Sequence, residues 1–285
     1  MKLITTNEQL NALLPNIAVS VQGEVPLIDK MAPFLGATEK WVCDVFTSQP
    51  VFDTICQYAE DNDLRGASTQ LIVYEAFRRA LPHLDMILTP NGFGIVSNTN
   101  IAPASKERIT RLLDTLLDIR DAAILQVLSL LPAETDWLST EQAQFFADTL
   151  FPNIDVTNSF PRSIGGKWEQ YLDLRQALIP IEEHIATQYI SQPLMSLLRA
   201  QAQSRQFSTD KHRHVCRVLR AVEVDCLKES NHSAAMHKVH RTLTQLVQLI
   251  RSNPEDFPEW HSSDTAQLYN PPVFENKKES QGYWF

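Results

Sequence analysis

The sequence predicts an all-α protein of two related helical modules, with one β-hairpin and an extended C-terminal arm. Three observations carry this. Apolar residues recur at helical spacing through most of the chain, and extended character is confined to one short segment. Glycine is scarce, 8 of 285 residues, against about 7% in average proteins, so tight backbone turns and phosphate-cradling loops are few. Short patterns recur in the same order in both halves.

The elements follow in order. Residues 7–14 read as a short helix closed by Pro15. Residues 24–47 read as a helix with Leu27, Met31, Phe34, Leu35, Val42 and Phe46 on its apolar side. Pro26 suits its first turn, and Pro33 is expected to kink or split it. Ser48-Gln49-Pro50 marks a break before helices at 51–60 and 67–80. The period then changes: Leu84 to Thr89, the turn Pro90-Asn91-Gly92, and Phe93 to Ser97 predict a hairpin over 84–97. Helix 105–131 follows, with Ile109, Leu112, Leu113, Leu116, Leu117 and Ile119 at helical spacing, and Pro132 ends it. Further helices are expected at 140–149, 167–190, 193–204, 210–228 and 233–251, with Pro180 interrupting the second. From Pro254 the periodicity fails, and 254–285 reads as an extended tail.

The repeated patterns divide the chain. Asn7-Glu8-Gln9 through Pro15-Asn16-Ile17 is echoed by Thr140-Glu141-Gln142 through Pro152-Asn153-Ile154. Ser48-Gln49-Pro50 is echoed by Ser191-Gln192-Pro193, with Phe46, Phe52 and Ile55 matching Tyr189, Met195 and Leu198. The run led by Arg111 aligns with the run led by Arg241. These matches predict modules at 1–133 and 134–253, with the hairpin a specific addition to the first.

Composition bounds the function. The chain is 44% hydrophobic and 21% charged, too apolar for a disordered chain. No run approaches about 18 apolar residues, so no membrane span is expected, and the N-terminus shows no secretory h-region. A net charge of −9 argues against wholesale coating of nucleic acid. Cys43, Cys56, Cys216 and Cys226 show no disulfide or Cys-x-x-Cys spacing and read as free thiols in a reducing compartment.

Nucleotide-loop and nucleophile-elbow motifs are missing. Gly165-Gly166-Lys167 precedes a helix and reads as a plain helix-opening turn, although an anion could sit there. Five of the eight histidines fall at 212, 214, 232, 237 and 240, among Cys216 and Cys226. His212 pairs with Cys216 on one helix face, and His237 with His240. A shared zinc site would need ligands within roughly 2.0–2.3 Å of one point. A helical hairpin instead staggers Cys216 from the other pair by roughly 7–8 Å. Between 205 and 251 the chain is locally basic, and Arg213, Arg217 and Arg220 form a candidate face for phosphate or an acidic protein. No catalytic residue, metal ligand or cofactor is assigned.

The run Leu88-Thr89-Pro90-Asn91-Gly92-Phe93-Gly94-Ile95-Val96-Ser97-Asn98, then Ile101 to Arg108, resembles an uncharacterised protein family of Bacteroidetes genomes, prophages and phages. Phe274-Glu275-Asn276-Lys277-Lys278 before a terminal aromatic cluster is similar to the same family. The first half also loosely resembles the helical head–tail connector proteins of tailed phages. That resemblance implies a non-enzymatic structural protein of the virion, present in the host cytoplasm before assembly. Its partners would be further copies in a ring and portal or tail proteins, with DNA nearby. The implied contact residues are Asn91, Gly92 and Phe93 of the hairpin and Tyr283, Trp284 and Phe285 of the arm. A duplicated module departs from single-module connectors. Two other classes stay open: a metal-dependent or other enzyme built on the 212–240 histidines, and a nucleic-acid-contacting module using the basic face.

Overall fold

The computed structural model describes residues 3–14, 25–84, 86–89, 92–95, 105–229 and 231–270. Helices dominate. α1 (Asn7–Leu13) opens on a capping box, in which the Thr6 hydroxyl accepts from Gln9 N and the Gln9 side chain accepts from Thr6 N. α2 (Leu27–Val42), α3 (Gln49–Gln57) and α4 (Asp63–Leu84) follow. Then come β1 (Met86–Thr89), β2 (Gly92–Ile95), α5 (Lys106–Leu130) and α6 (Glu141–Ala147). The rest of the described chain holds α7 (Lys167–Ile185), α8 (Gln192–Ser204), α9 (Asp210–Leu227), α10 (His232–Arg251), α11 (Pro258–His261) and α12 (Asp264–Tyr269).

β1 and β2 pair antiparallel, Met86 opposite Ile95 and Thr89 opposite Gly92. Residues 85, 90, 91 and 96–104, Asn91 of the turn among them, lie outside the described residues. So small a ribbon carries no layer of its own, and the fold class is all-α.

The chain forms two compact units that divide within α7, between Leu174 and Arg175. This corrects the expected boundary at 133/134. The reason is burial. Trp137, Phe146, Ile154, Trp168 and Tyr171 are all core residues. Phe46 lies 4.9 Å from Trp168 and 6.1 Å from Phe146, ring to ring. The stretch after α5 therefore completes the first core instead of starting the second. In that unit α4 packs on α2 and α5, burying Leu71, Ile72 and Ala76 with Met31, Leu35, Ile124 and Val127. In the second unit α9 packs on α10, burying Val215, Leu219, Leu243 and Ile250.

Two further expectations are corrected. α2 runs through Pro33 and α7 through Pro180 without splitting. Both prolines are exposed, so the missing N–H and the ring face solvent. The tail is also not extended over 254–270. α11 and α12 fold there, with Phe257 and Trp260 fully buried. Pro258 stands in the first turn of α11, where its fixed φ starts a helix instead of stopping one. Residues 271–285, including Tyr283, Trp284 and Phe285, lie outside the described residues.

The breaks fall at the two Ser-Gln-Pro sites, by the same device. α2 widens into a π-helical turn over Cys43–Thr47, and α7 into one over Ala186–Ile190. Ser48 N then closes on Cys43 O at 2.9 Å, and Ser191 N on Ala186 O at 2.7 Å. Both serines sit at positive φ, 71° and 77°, with ψ of 159° and 147°. That region is nearly glycine-only and costs about 1–3 kcal/mol. A widened turn also leaves carbonyls without ladder partners. The Trp137 indole satisfies Phe46 O at 2.6 Å, and the Trp260 indole satisfies Tyr189 O at 2.8 Å. Gln142 Nε2 donates to Asp44 O and Thr265 Oγ1 to Thr187 O. The clasp is carried by WLSTEQAQ in one unit and WHSSDTAQ in the other, where Thr140 and Ser263 accept from Ala143 N and Ala266 N as N-caps.

Candidate functional site

The first unit presents an open groove of about 400 Å³ where the π-turn, α6 and α7 meet. Trp41 and Val45 line it from α2 and its turn, Phe145 from α6, Trp168 and Leu172 from α7. The aromatic wall is fixed from behind. Trp41 meets Phe46 edge-on at 5.1 Å and Trp168 at 6.3 Å, and Phe145 meets Phe146 edge-on at 5.1 Å. Arg79 lies over the Trp41 ring at 5.4 Å. The rim is polar: Asp44 and Glu141 are exposed, and Gln142 is held on Asp44 O. Asp44 also pairs with Lys40 at 2.8 Å, both largely in solvent, where water screens the attraction. Such a surface binds apolar or aromatic groups and offers carboxylates to a cation at its edge.

Behind this wall lies a closed charge network. Arg120, 1% exposed, forks onto Glu169 at 2.9 and 2.6 Å and onto Asp121 at 3.1 and 2.8 Å. Glu75, also 1% exposed, accepts from Arg78 at 2.7 and 2.8 Å and from Arg79 at 2.7 Å. Burial alone would raise the Glu75 carboxyl. Arg78, Arg120 and Arg79 together outweigh it and hold the group below its ordinary value. Asp121 Oδ2 accepts from Lys167 N at 2.6 Å, at the start of α7. The anion at Gly165-Gly166-Lys167 is thus the chain's own carboxylate. Gly166 has φ of 99°, and a Cβ there would lie 2.7 Å from Arg120 Nη2. Three carboxylates meet three guanidinium groups, and the network works as a lock on the chain entering α7.

The second unit buries a pair of carboxyls. Glu182 and Glu223 are fully buried. Arg199 Nε donates to Glu182 at 2.8 Å, whereas neither Glu223 oxygen receives a donor from another group. Burial, and then the charge of Glu182, raise Glu223 well above the ordinary carboxyl value. Both causes favour the uncharged form of the Glu223 side chain. A raised carboxyl serves catalysis where substrate reaches it, and both of these are sealed within the core.

The residues singled out in the sequence distribute as follows. His212 is a core residue: Nε2 meets Asp256 O at 2.7 Å and Nδ1 meets the Gln201 amide at 3.1 Å. It shares the buried face of α9 with Cys216, as their spacing requires. Burial pushes the Cys216 and Cys226 thiols up to about 11 each. His214 faces Arg217 and His240 faces the Tyr189 hydroxyl, both at the surface. Among the described residues no three His, Cys, Asp or Glu side chains converge to hold a metal ion. Arg213 and Arg217 are exposed, with Arg213 paired to Asp210 at 2.6 Å. Arg220 is half-buried and acts on Cys216 and Glu223. Gly92 and Phe93 lie in β2, while Asn91, Tyr283, Trp284 and Phe285 lie outside the described residues.

Sequence reasoning missed the groove and both charge clusters. A legible signal existed for the clusters. Glu75 follows Leu71 by four residues and precedes Arg78 and Arg79 by three and four. Glu182 and Glu223 likewise interrupt the stripes Leu178-Ile181-Ile185 and Leu219-Val222-Cys226. A charge on an apolar stripe marks a buried ion. The groove joins residues more than a hundred positions apart and left no local sign.

Among the described residues no helix is long and apolar enough to cross a membrane. The model of a family of unknown function, DUF6712, matches residues 25–147 and 223–269. Each matched stretch ends on the helix that follows a clasp tryptophan, α6 in one and α12 in the other. No curated protein and no solved structure matches the chain.

Proposed function

We propose that this chain, a member of the DUF6712 family, is a structural protein of a virion or prophage that assembles as a homo-oligomeric connector or adaptor ring. The observation that carries the reading is the open aromatic groove of Trp41, Phe145 and Trp168, a surface suited to holding another polypeptide. The charged groups that could serve chemistry are engaged with one another inside each unit, which suits a rigid body more than a reaction centre. The resemblance of residues 88–108 and 274–278 to phage and prophage proteins supports the same reading. Portal or tail proteins are the further partners it entails.

The chain is read as two copies of one duplicated module. Its bounds are redrawn from the sequence estimate to α2 through α6 and α7 through α12. The shared support is the π-turn, the strained serine, the tryptophan clasp and the capped helix, in the same order. The segment between α4 and α5 is an addition to the first copy.

Native mass spectrometry of the purified protein, with and without a chelator, tests the function. The expected result is an oligomer whose mass does not depend on metal. A monomer at every concentration that captures no portal or tail protein overturns the reading. Stoichiometric bound metal lost in a His237→Ala/His240→Ala variant would transfer the function to the histidine cluster.

A further inference from the structure

We propose that the groove at Trp41, Phe145 and Trp168 is the socket for the C-terminal segment 271–285 of a second copy of this chain. The inference rests on the self-assembly reading and deepens it by naming both halves of the contact. On one side the groove is lined by two tryptophans and a phenylalanine, with Asp44 and Glu141 exposed at its rim. On the other side the segment beyond α12 holds Tyr283-Trp284-Phe285, preceded by Lys277-Lys278. Aromatic rings pair edge-on or offset with gain beyond their buried area. Trp41, edge-on to the buried Trp168, and Phe145 are the part-exposed rings that an incoming aromatic would meet. The paired lysines match the rim carboxylate of Glu141, while Asp44 already carries Lys40.

Reach does not limit the contact. The fifteen residues 271–285 span roughly 50 Å when extended. A segment of one copy in a groove of the next is a head-to-tail contact. It closes into a ring if the rotation allows, and otherwise propagates.

The test uses full-length chains and mixing. The segment variant is Trp284→Ser/Phe285→Ser. The socket variant is Phe145→Ser, with Glu141→Lys as a second that changes only an exposed rim residue. Circular dichroism must first match the parent for each. The parent is expected to form oligomers. Segment and socket variants alone should dissociate at concentrations roughly tenfold or more above the parent's. Mixed, they should form a 1:1 dimer and nothing larger, because one intact half from each chain makes a single contact. Oligomers that persist in both variants overturn this inference and leave self-assembly standing. A parent that is monomeric at all concentrations removes the self-assembly reading as well. Loss of oligomers in both variants with no dimer on mixing also overturns it, because the segment and groove are then not each other's partners.

Discussion

Trp137 and Phe46 are joined by one hydrogen bond, indole Nε1 to main-chain oxygen, at 2.6 Å and ninety-one residues apart in sequence. Trp260 and Tyr189 repeat it at 2.8 Å in the second unit. The bond exists because a π-turn frees a carbonyl that water cannot reach. Trp137→Phe keeps most of the ring and removes the donor. The expected loss is about 1–3 kcal/mol, the cost of an unsatisfied buried acceptor. Urea unfolding of Trp137→Phe and Trp260→Phe should give losses of similar size, and no loss in either would sink the clasp.

Ser48 holds a backbone conformation that glycine adopts without strain, and its hydroxyl has no partner. Ser48→Gly should therefore stabilise the protein, by about 1 kcal/mol. Ser191 also caps α8 through Leu194 N, so Ser191→Gly should gain less. The comparison of the two melting temperatures separates strain from capping.

Two glycines should respond in opposite directions to alanine. Gly36 is exposed within α2 with nothing within 4 Å of an added Cβ, so Gly36→Ala should stabilise by about 0.5–1 kcal/mol. Gly166→Ala forces a positive φ on a side chain and drives its Cβ into Arg120. It should cost at least about 1 kcal/mol. A stabilising Gly166→Ala would mean that the lock at the start of α7 is misread.

Arg120 is the hub of the first unit's network. Arg120→Met leaves Asp121 buried without its main partner, and the expected cost is about 3–5 kcal/mol. Adding Asp121→Asn should recover part of it, because the stranded charge is then gone. Chemical denaturation of the single and double variants measures the recovery, and additive losses would contradict the coupling.

The two units should respond to pH with opposite signs. Glu223 is held above its ordinary value of 4.5, by burial first and by Glu182 next. Its contribution is whole below that value and drains away as pH rises through the folded value. Glu75 is held below 4.5, so its contribution is whole above that value and is lost as pH falls. Glu223→Gln, a neutral mimic, should flatten the decline of stability with rising pH, read by thermal melts from about pH 5 to about pH 9. An unchanged slope would show that Glu223 is ionised in the folded state.

The first unit shows where local pattern misleads. Helix 105–131 is legible as a helix, but of its stripe Ile109, Leu112, Leu113, Leu116, Leu117 and Ile119 only Leu116 and Leu117 are buried. The buried face is Leu116, Leu117, Ile124, Val127 and Leu128, together with Arg120 and Asp121. Near the start of the helix the apolar residues are half-exposed or exposed, Leu112 at 41%. Periodicity marks a face only where a partner covers it, and it cannot show that an arginine will be neutralised by carboxylates from α4 and α7.

By itself the sequence determined the all-α class, the place of most long helices, the breaks at the two Ser-Gln-Pro sites and the paired character of their surroundings. These are local matters of period, capping and proline, read within a turn or two of chain. Tertiary structure decided the boundary at Leu174/Arg175, the folding of 254–270 and the route of α2 and α7 through their prolines. It also decided the aromatic groove and the two buried charge clusters. Each of these depends on which distant side chain satisfies a freed carbonyl, covers an apolar face or cancels a buried charge, and burial of that kind is settled only when remote segments meet.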